Sequence, residues 1–237
     1  MSTAVDPHTV SQASAAARPA ARGASLAEVA RTFFRFPTPW IIGGGALMAW
    51  GFRLFAGPAG GWDLLIAAAI LALWPVQEWL IHVTILHFRP KRIGRFTVDL
   101  HNAKKHRMHH REPERIELVF VPLRTVLTLL PVHLVAWHLI MPTAALAWTT
   151  IAVYFTLAFT YEWTHYLVHT RYRPRSRFYR RLWENHRLHH YRNGRHWYGV
   201  SMLMGDRLLG TAGDAREVPL SPSAKDILHD EPAGAKP

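Results

Sequence analysis

Ten of the sixteen histidines fall into four short boxes, and the boxes form two matching pairs. The first pair is His82-V-T-I-L-His87 followed by His106-R-M-His109-His110. The second is His165-Y-L-V-His169 followed by His186-R-L-His189-His190. In each pair two histidines close an apolar stretch, and H-x-x-H-H follows 17 to 19 residues later in a polar segment. Neutral imidazole is the commonest metal ligand and suits iron, zinc and copper. Ten imidazoles are too many for one ion and suit two ions with about five each.

Spacing sets what each box can reach. Residues three and four apart share a helix face, so His106, His109 and His110 form one stripe, and His186, His189 and His190 another. Adjacent histidines point about 100° apart, so one can serve each of two neighbouring ions. His165 and His169 share a face. His82 and His87, five apart, diverge on a regular helix; either they straddle two ions or the helix unwinds before Pro90. Glu162-W-T-His165 is a Glu-x-x-His sequence of the kind found in carboxylate-bridged di-iron bundles, but such bundles need two and this chain has one. Glu162 is therefore expected to accept the free N–H of a ligating imidazole. His196 is expected beside the substrate or behind a ligand. Glu78 and Glu184 carry no assigned role, His101 reads as a residue at the surface or behind a ligand, and His8 and His229 lie in the tails.

The elements that must carry these boxes are apolar and long. Four stretches stand out: Pro39–Phe55, with a Gly43-Gly44-Gly45 run; Trp62–Leu86, with Pro75; Leu118–Met141, with Pro131; and Thr143–Val168. About 20 residues cross a bilayer core, so three suffice and the first is marginal. Trp40, Trp50, Trp62, Trp137 and Trp148 near their ends suit interfacial anchoring. His133 and His138 fall inside the third stretch. Lys and Arg alternate between the connections: four precede the first stretch, Arg53 alone lies at its far end, nine lie in His87–Glu117, none at Pro142 and thirteen after the fourth stretch. The positive-inside rule then puts both termini and the central segment in the cytoplasm, with all four boxes on that side.

The net charge of +12 lies beside the spans, where anionic headgroups attract it, and does not indicate nucleic acid. The run Arg171 to Arg181 reads as a lipid-facing collar, part of which can dock an acidic electron donor or acyl carrier. The chain has no cysteine, which excludes disulfides, thiolate nucleophiles and iron–sulfur clusters. Residues 1–35, rich in Ala, Ser, Arg and Pro, are expected to form a disordered tail; 36–212 a membrane-embedded di-metal domain; and 213–237 a loose C-terminal tail.

Four such boxes with spans in these places resemble the fatty acid hydroxylase superfamily of integral-membrane di-metal oxygenases, which includes sterol desaturases. The likeness covers roughly residues 62 to 212 and is closest to the fatty acid 2-hydroxylases. It rests further on Glu117-L-V-F-V-Pro122, Tyr161-E-W-T-His165-Tyr166, His196-W-Tyr198-G-V-Ser201 and Gly205-Asp206-R-L-L-Gly210-Thr211. The resemblance implies an all-α membrane bundle of about four helices with a cytoplasmic helical cap. It implies two iron ions held by the ten box histidines, O2 as co-substrate, and hydroxylation of a lipid acyl chain at C2. Eukaryotic 2-hydroxylases often carry a fused b-type cytochrome with an HPGG haem motif; this sequence has none, so electrons are expected from a separate protein. The same boxes also fit a sterol or carotenoid hydroxylase or desaturase. A zinc-dependent membrane hydrolase would need no O2, and a metal transporter would place its ligands near the bilayer midplane.

Overall fold

Residues 23–229 are described by a computed structural model. The apolar stretches become four long helices: α2 (Pro37–Phe55), α3 (Gly61–Ile81), α5 (Leu123–Ile140) and α6 (Ala144–Val168). Three are long and apolar enough to cross a membrane: α3 with the turn after it, α5 with the turn before it, and α6. The 19-residue α2 falls outside that set. Helix α6 is the centre of the bundle: 44% of its apolar window is buried in the protein, against 22% for α3 and α5, which leave most of their surface to lipid.

Helix α2 lies antiparallel along α6, and its glycine run explains how closely. A Cβ on Gly45 would stand 2.9 Å from the Phe155 ring, and one on Gly43 would stand 3.0 Å from Phe159. Small residues let membrane helices approach closely enough to pack without polar contacts. Ile42, Ala46 and Ala49 bury against Ile151, Ala152 and Phe155. At the end of the bundle far from the histidines, Arg53 of α2 forks onto Asp63 of α3, with Nε to Oδ1 and NH2 to Oδ2 both at 2.7 Å. The same guanidinium donates to Thr149 Oγ1 of α6 and to the carbonyls of Gly57 and Pro58, so none of its charge is left without a partner.

The cap at the other end is built from shorter elements: α4 (His101–Arg111), α7 (Arg177–Tyr191) and α8 (Met204–Leu208). A hairpin precedes α4, with β1 (Lys91–Ile93) paired antiparallel to β2 (Phe96–Val98) in the register Lys91↔Val98. Gly94 turns the hairpin with φ +58°. This pair of strands is the one departure from the all-α expectation among the described residues.

Both tail expectations need correction. Residues Leu26–Phe33 form a helix, α1, opened by a reciprocal capping box between Ser25 and Glu28. Val29 and Phe33, four apart, face inward, and Phe33 is fully buried among Phe120, Phe159, Trp163 and Tyr166. Residues 214–229 also pack on the cap. Val218, Ala224 and Ile227 are buried, Ser221 N donates to Arg192 O at 2.8 Å, and Arg192 Nε donates to Val218 O at 2.6 Å. Composition hid this strap because its hold comes from backbone hydrogen bonds to a distant loop rather than from an apolar run. The rest of the expected tails, 1–22 and 230–237, lies outside the described residues.

Candidate metal centre

The ten box histidines converge where the long helices meet the cap. They form two groups of five. His82, His87, His106, His110 and His189 make one; His109, His165, His169, His186 and His190 make the other. Within each group the facing nitrogens all lie within 4.8 Å of one another. In the first, Nε2 of His106 is 3.0 Å from that of His82 and 3.1 Å from that of His110, and the His110–His189 separation is 3.2 Å. In the second, His186 stands 3.1 Å from His169 and 3.0 Å from His190.

Local structure explains each placement. The regular helix of α3 ends at Ile81, and His82–Leu86 forms a turn of π-helix closed by His87 N donating to His82 O at 2.9 Å. A π turn closes i to i+5 and so brings His87 over His82. The pair joins one group and does not straddle two. The adjacent histidines divide as their 100° offset requires. His110 and His189 face the first group, and His109 and His190 face the second. Each group thus takes four histidines from its own half of the sequence and one from the other half. His109 and His189 are the exchanged pair, which ties α4 and α7 together through the site.

The donor set fits a metal. His109 is fully buried, and neither of its ring nitrogens has a hydrogen-bond partner. Nε2 of His87 and of His165 is buried and unpartnered as well. A buried polar atom left unpaired costs about 1–3 kcal/mol, so a cluster of them is kept only where a ligand takes their lone pairs. Burial, and then repulsion among neighbouring rings, holds His87, His106, His109, His169, His186, His189 and His190 well below the usual imidazole range. His110 is pushed down to about 3 by burial. All are therefore neutral, the form that coordinates.

The groups that orient the rings differ from expectation. No carboxylate hydrogen-bonds any of the ten imidazoles among the described residues. Glu162, expected in that role, accepts Val121 N at 3.2 Å with both oxygens and so anchors the approach to α5. Backbone carbonyls do the orienting. His82 Nδ1 lies 2.6 Å from Tyr198 O, His189 Nδ1 lies 2.7 Å from His196 O, and His110 Nδ1 lies 2.9 Å from Ala224 O. The backbones of Val119 and Pro113 lie beside His165 and His169. His196 therefore contributes through its carbonyl, while its buried ring nitrogen Nδ1 has no partner. His101 is exposed, as expected, and His138 is exposed against Trp148.

Between the two carbonyls of residues 196 and 198, Trp197 adopts φ +58°, a left-handed conformation costly for a bulky residue. That kink aims both carbonyls at the first group. It is held by Trp197 N to Thr211 O and Trp197 Nε1 to Gly213 O, both 3.0 Å. Asp206, fully buried, fixes the next residues by accepting Tyr198 N at 2.7 Å, Gly199 N at 2.8 Å and Thr211 Oγ1 at 2.7 Å. Glu78 takes Ser201 N at 2.9 Å together with Val200 N, Ser201 Oγ and Trp74 Nε1. The motifs around residues 196–201 and 205–211 are thus a frame for two imidazoles. The sequence singles out both motifs, and His196 as a residue beside the substrate or behind a ligand, without showing that their backbone does the framing.

A cavity of 290 Å³ runs from the site into the bundle between α3, α5 and α6. His106 of the first group and His165 of the second both line it. Along α6 it extends from His165 to Tyr154, about 16 Å at the helical rise. His133, unassigned from sequence, lines its deep part.

A sequence model of the fatty acid hydroxylase family matches residues 67–211. Dihydroceramide fatty acyl 2-hydroxylase of Arabidopsis thaliana is 28% identical over 152 residues, covering 62% of this chain and 60% of the relative. Fatty acid 2-hydroxylase of Homo sapiens is 28% identical over 135 residues, 56% of this chain and 36% of the relative. The chain therefore spans less than two thirds of the length of these relatives. The solved structure of full-length scs7p, in which only the hydroxylase domain is visible, superposes with a TM-score of 0.61 at 20% identity, covering 77% of this chain and 69% of that one. The match covers well over half the sequence and takes in nine elements of the fold and all ten box histidines: the chain belongs to the fatty acid hydroxylase family.

Proposed function

We propose that this protein is an O2-dependent membrane hydroxylase of lipid acyl chains, acting at C2, with one iron ion in each group of five histidines. The observation that carries this reading is the apolar cavity lined by one histidine of each group, so that one carbon of an acyl chain can rest against both sites. Relatives named as fatty acid and dihydroceramide fatty acyl 2-hydroxylases support the choice of substrate and carbon. Iron supplies the redox chemistry needed to oxidise an unactivated C–H bond; zinc on the same nitrogens would be inert in that respect. Overall, one O2, two electrons and two protons convert C–H to C–OH and water, the electrons coming from a separate protein.

The chain's own residues do the remaining work. The carbonyls of His196, Tyr198 and Ala224 hold three imidazoles in one tautomer, and the lining of α3, α5 and α6 excludes water from the acyl chain. The Lys and Arg pattern supports cytoplasmic termini and a cytoplasmic metal site, provided that α2 also crosses. Its contacts favour crossing: it packs along α6 through Ile42, Ala46 and Ala49 and bonds Thr149 through Arg53 at its far end. Anaerobic purification with metal analysis, then growth under oxygen-18 gas, tests the proposal. Two irons per chain and labelled 2-hydroxyacyl lipid are expected; His189→Ala should hold at most one iron and make no labelled product. Product formation without O2 would overturn it.

A further inference from the structure

We infer that Asn102 and Lys105 form a subsite for the carboxylate of an unesterified fatty acid at the mouth of the cavity. The inference rests on the hydroxylase reading for the carbon attacked, and on geometry for the headgroup. If C2 lies against the two histidine groups, C1 is one bond away, so its oxygens must meet side chains at the His106 end of the cavity. Asn102, Lys105 and His106 lie at i, i+3 and i+4 of α4 and share a face, and all three line the cavity.

The polar groups at that end are not equally free. Glu78 already accepts four hydrogen bonds. Thr125 donates its hydroxyl to Asn102 Oδ1 at 2.5 Å, which leaves the amide with its two Nδ2 protons to give. Cations adjacent to Lys105 are engaged: Arg107 bonds Asp99 at 2.5 Å and Phe88 O at 3.1 Å, and Lys104 stands 3.9 Å from Asp99. Lys105 has no anionic partner among the described residues, and Asn102 Nδ2 has no acceptor. A fixed amide donor and an unpaired ammonium one turn apart, beside His106, make a site for two carboxylate oxygens. A neutral amide-linked acyl group would use the Asn102 donor and leave Lys105 unpaired. Charge-assisted hydrogen bonds are about twice as strong as neutral ones, so the site discriminates by headgroup charge.

The test uses the full chain in a neutral detergent, with a fluorescent polyene fatty acid and its methyl ester as probes. Taking the acid-to-ester affinity ratio in the wild type relative to a variant cancels micelle partitioning. The wild type is expected to favour the acid at least tenfold more than Lys105→Met does. Lys105→Arg should keep most of the preference, and Asn102→Asp should remove it by placing a like charge beside the carboxylate. Lys105 is exposed, so its substitution leaves the fold intact. A wild-type ratio equal to that of Lys105→Met overturns the subsite, even if acyl amides are hydroxylated normally. An acid preference that depends on Lys105 in a protein making no O2-dependent product upholds the subsite and sinks the hydroxylase reading instead.

Discussion

The two ends of the bundle each bury a polar cluster, and the clusters obey opposite rules. At the far end Arg53, Asp63 and Thr149 are buried and fully satisfied: each guanidinium nitrogen and each carboxylate oxygen has a partner within 3.2 Å. At the histidine end, about 28 Å away along α3 from Asp63 to His82, several imidazole nitrogens are buried with none. A satisfied buried cluster fixes geometry. An unsatisfied one costs stability and is kept for what it binds. Burial and polarity alone do not separate structural from functional clusters; the state of the lone pairs does.

The largest effect should come from His109, whose two ring nitrogens are both without a partner. His109→Leu fills similar volume and removes an unpaired buried group, so the metal-free protein should melt at the same temperature or higher. It should bind at most one tightly held ion and lose hydroxylation below detection. Metal analysis and thermal melting of the chelator-treated protein read both quantities. A lowered melting temperature in the metal-free variant would mean that His109 belongs with the structural cluster after all.

Titration sharpens the contrast. The imidazoles outside the spans sit well below their unfolded value near 6.5, and His110 sits at about 3. Groups with depressed folded values leave the unfolded chain binding more protons below pH 6.5. Their stabilisation is therefore present above 6.5 and is lost as pH falls toward the folded values, by about 1.4 kcal/mol per pH unit for each imidazole. The metal-free protein should lose melting temperature steeply between pH 7 and pH 5, and His109→Leu should show a shallower slope. A flat wild-type profile would contradict the burial of these rings as neutral groups.

The clip at the other end should respond in the reverse sense. Asp63→Asn leaves Arg53 charged and buried without its counter-ion and should cost about 3 kcal/mol. It should not change the metal stoichiometry, since no clip residue touches a histidine. Loss of metal in a still-folded Asp63→Asn protein would show that the two ends are coupled through α3 and α6.

How much of this was legible in the sequence follows from the same distinction. The boxes gave the ten histidines and the division of adjacent pairs, because helical periodicity fixes direction. Apolar length gave the ends of the long helices to within two residues, except that the regular turns of α3 stop five residues before Leu86, at the π turn, and α5 starts five residues after Leu118. The π turn at His82 was not read: the i, i+5 spacing left open a pair straddling two ions or a helix unwound before Pro90, and the turn is neither. The orienting groups were misread as carboxylates: every residue has a carbonyl, so Tyr198, His196 and Ala224 carry no signal of their own, while Glu162 carries one that proves misleading. Helix α1 had a readable capping box, Ser25 to Glu28, masked by the polar, Ala-rich composition before it.

The smallest effect expected belongs to the strap, the element least visible in sequence. Residues 214–229 touch the site through one carbonyl, Ala224 O on His110, and are held by Ser223 Oγ, which accepts Gly194 N at 3.2 Å, and by the Ser221 and Arg192 backbone bonds. Removing a group that orients a ligating imidazole typically weakens metal binding 10- to 100-fold. Ending the chain after Gly213 should therefore weaken one ion about 10-fold and leave the other unchanged, because His110 serves only the first group. Ser223→Ala, which loosens the strap without removing it, should give a smaller loss at the same ion. Equal weakening of both ions would assign the strap to general stability of the cap; weakening of one makes the two groups of five separable by a contact that lies outside both.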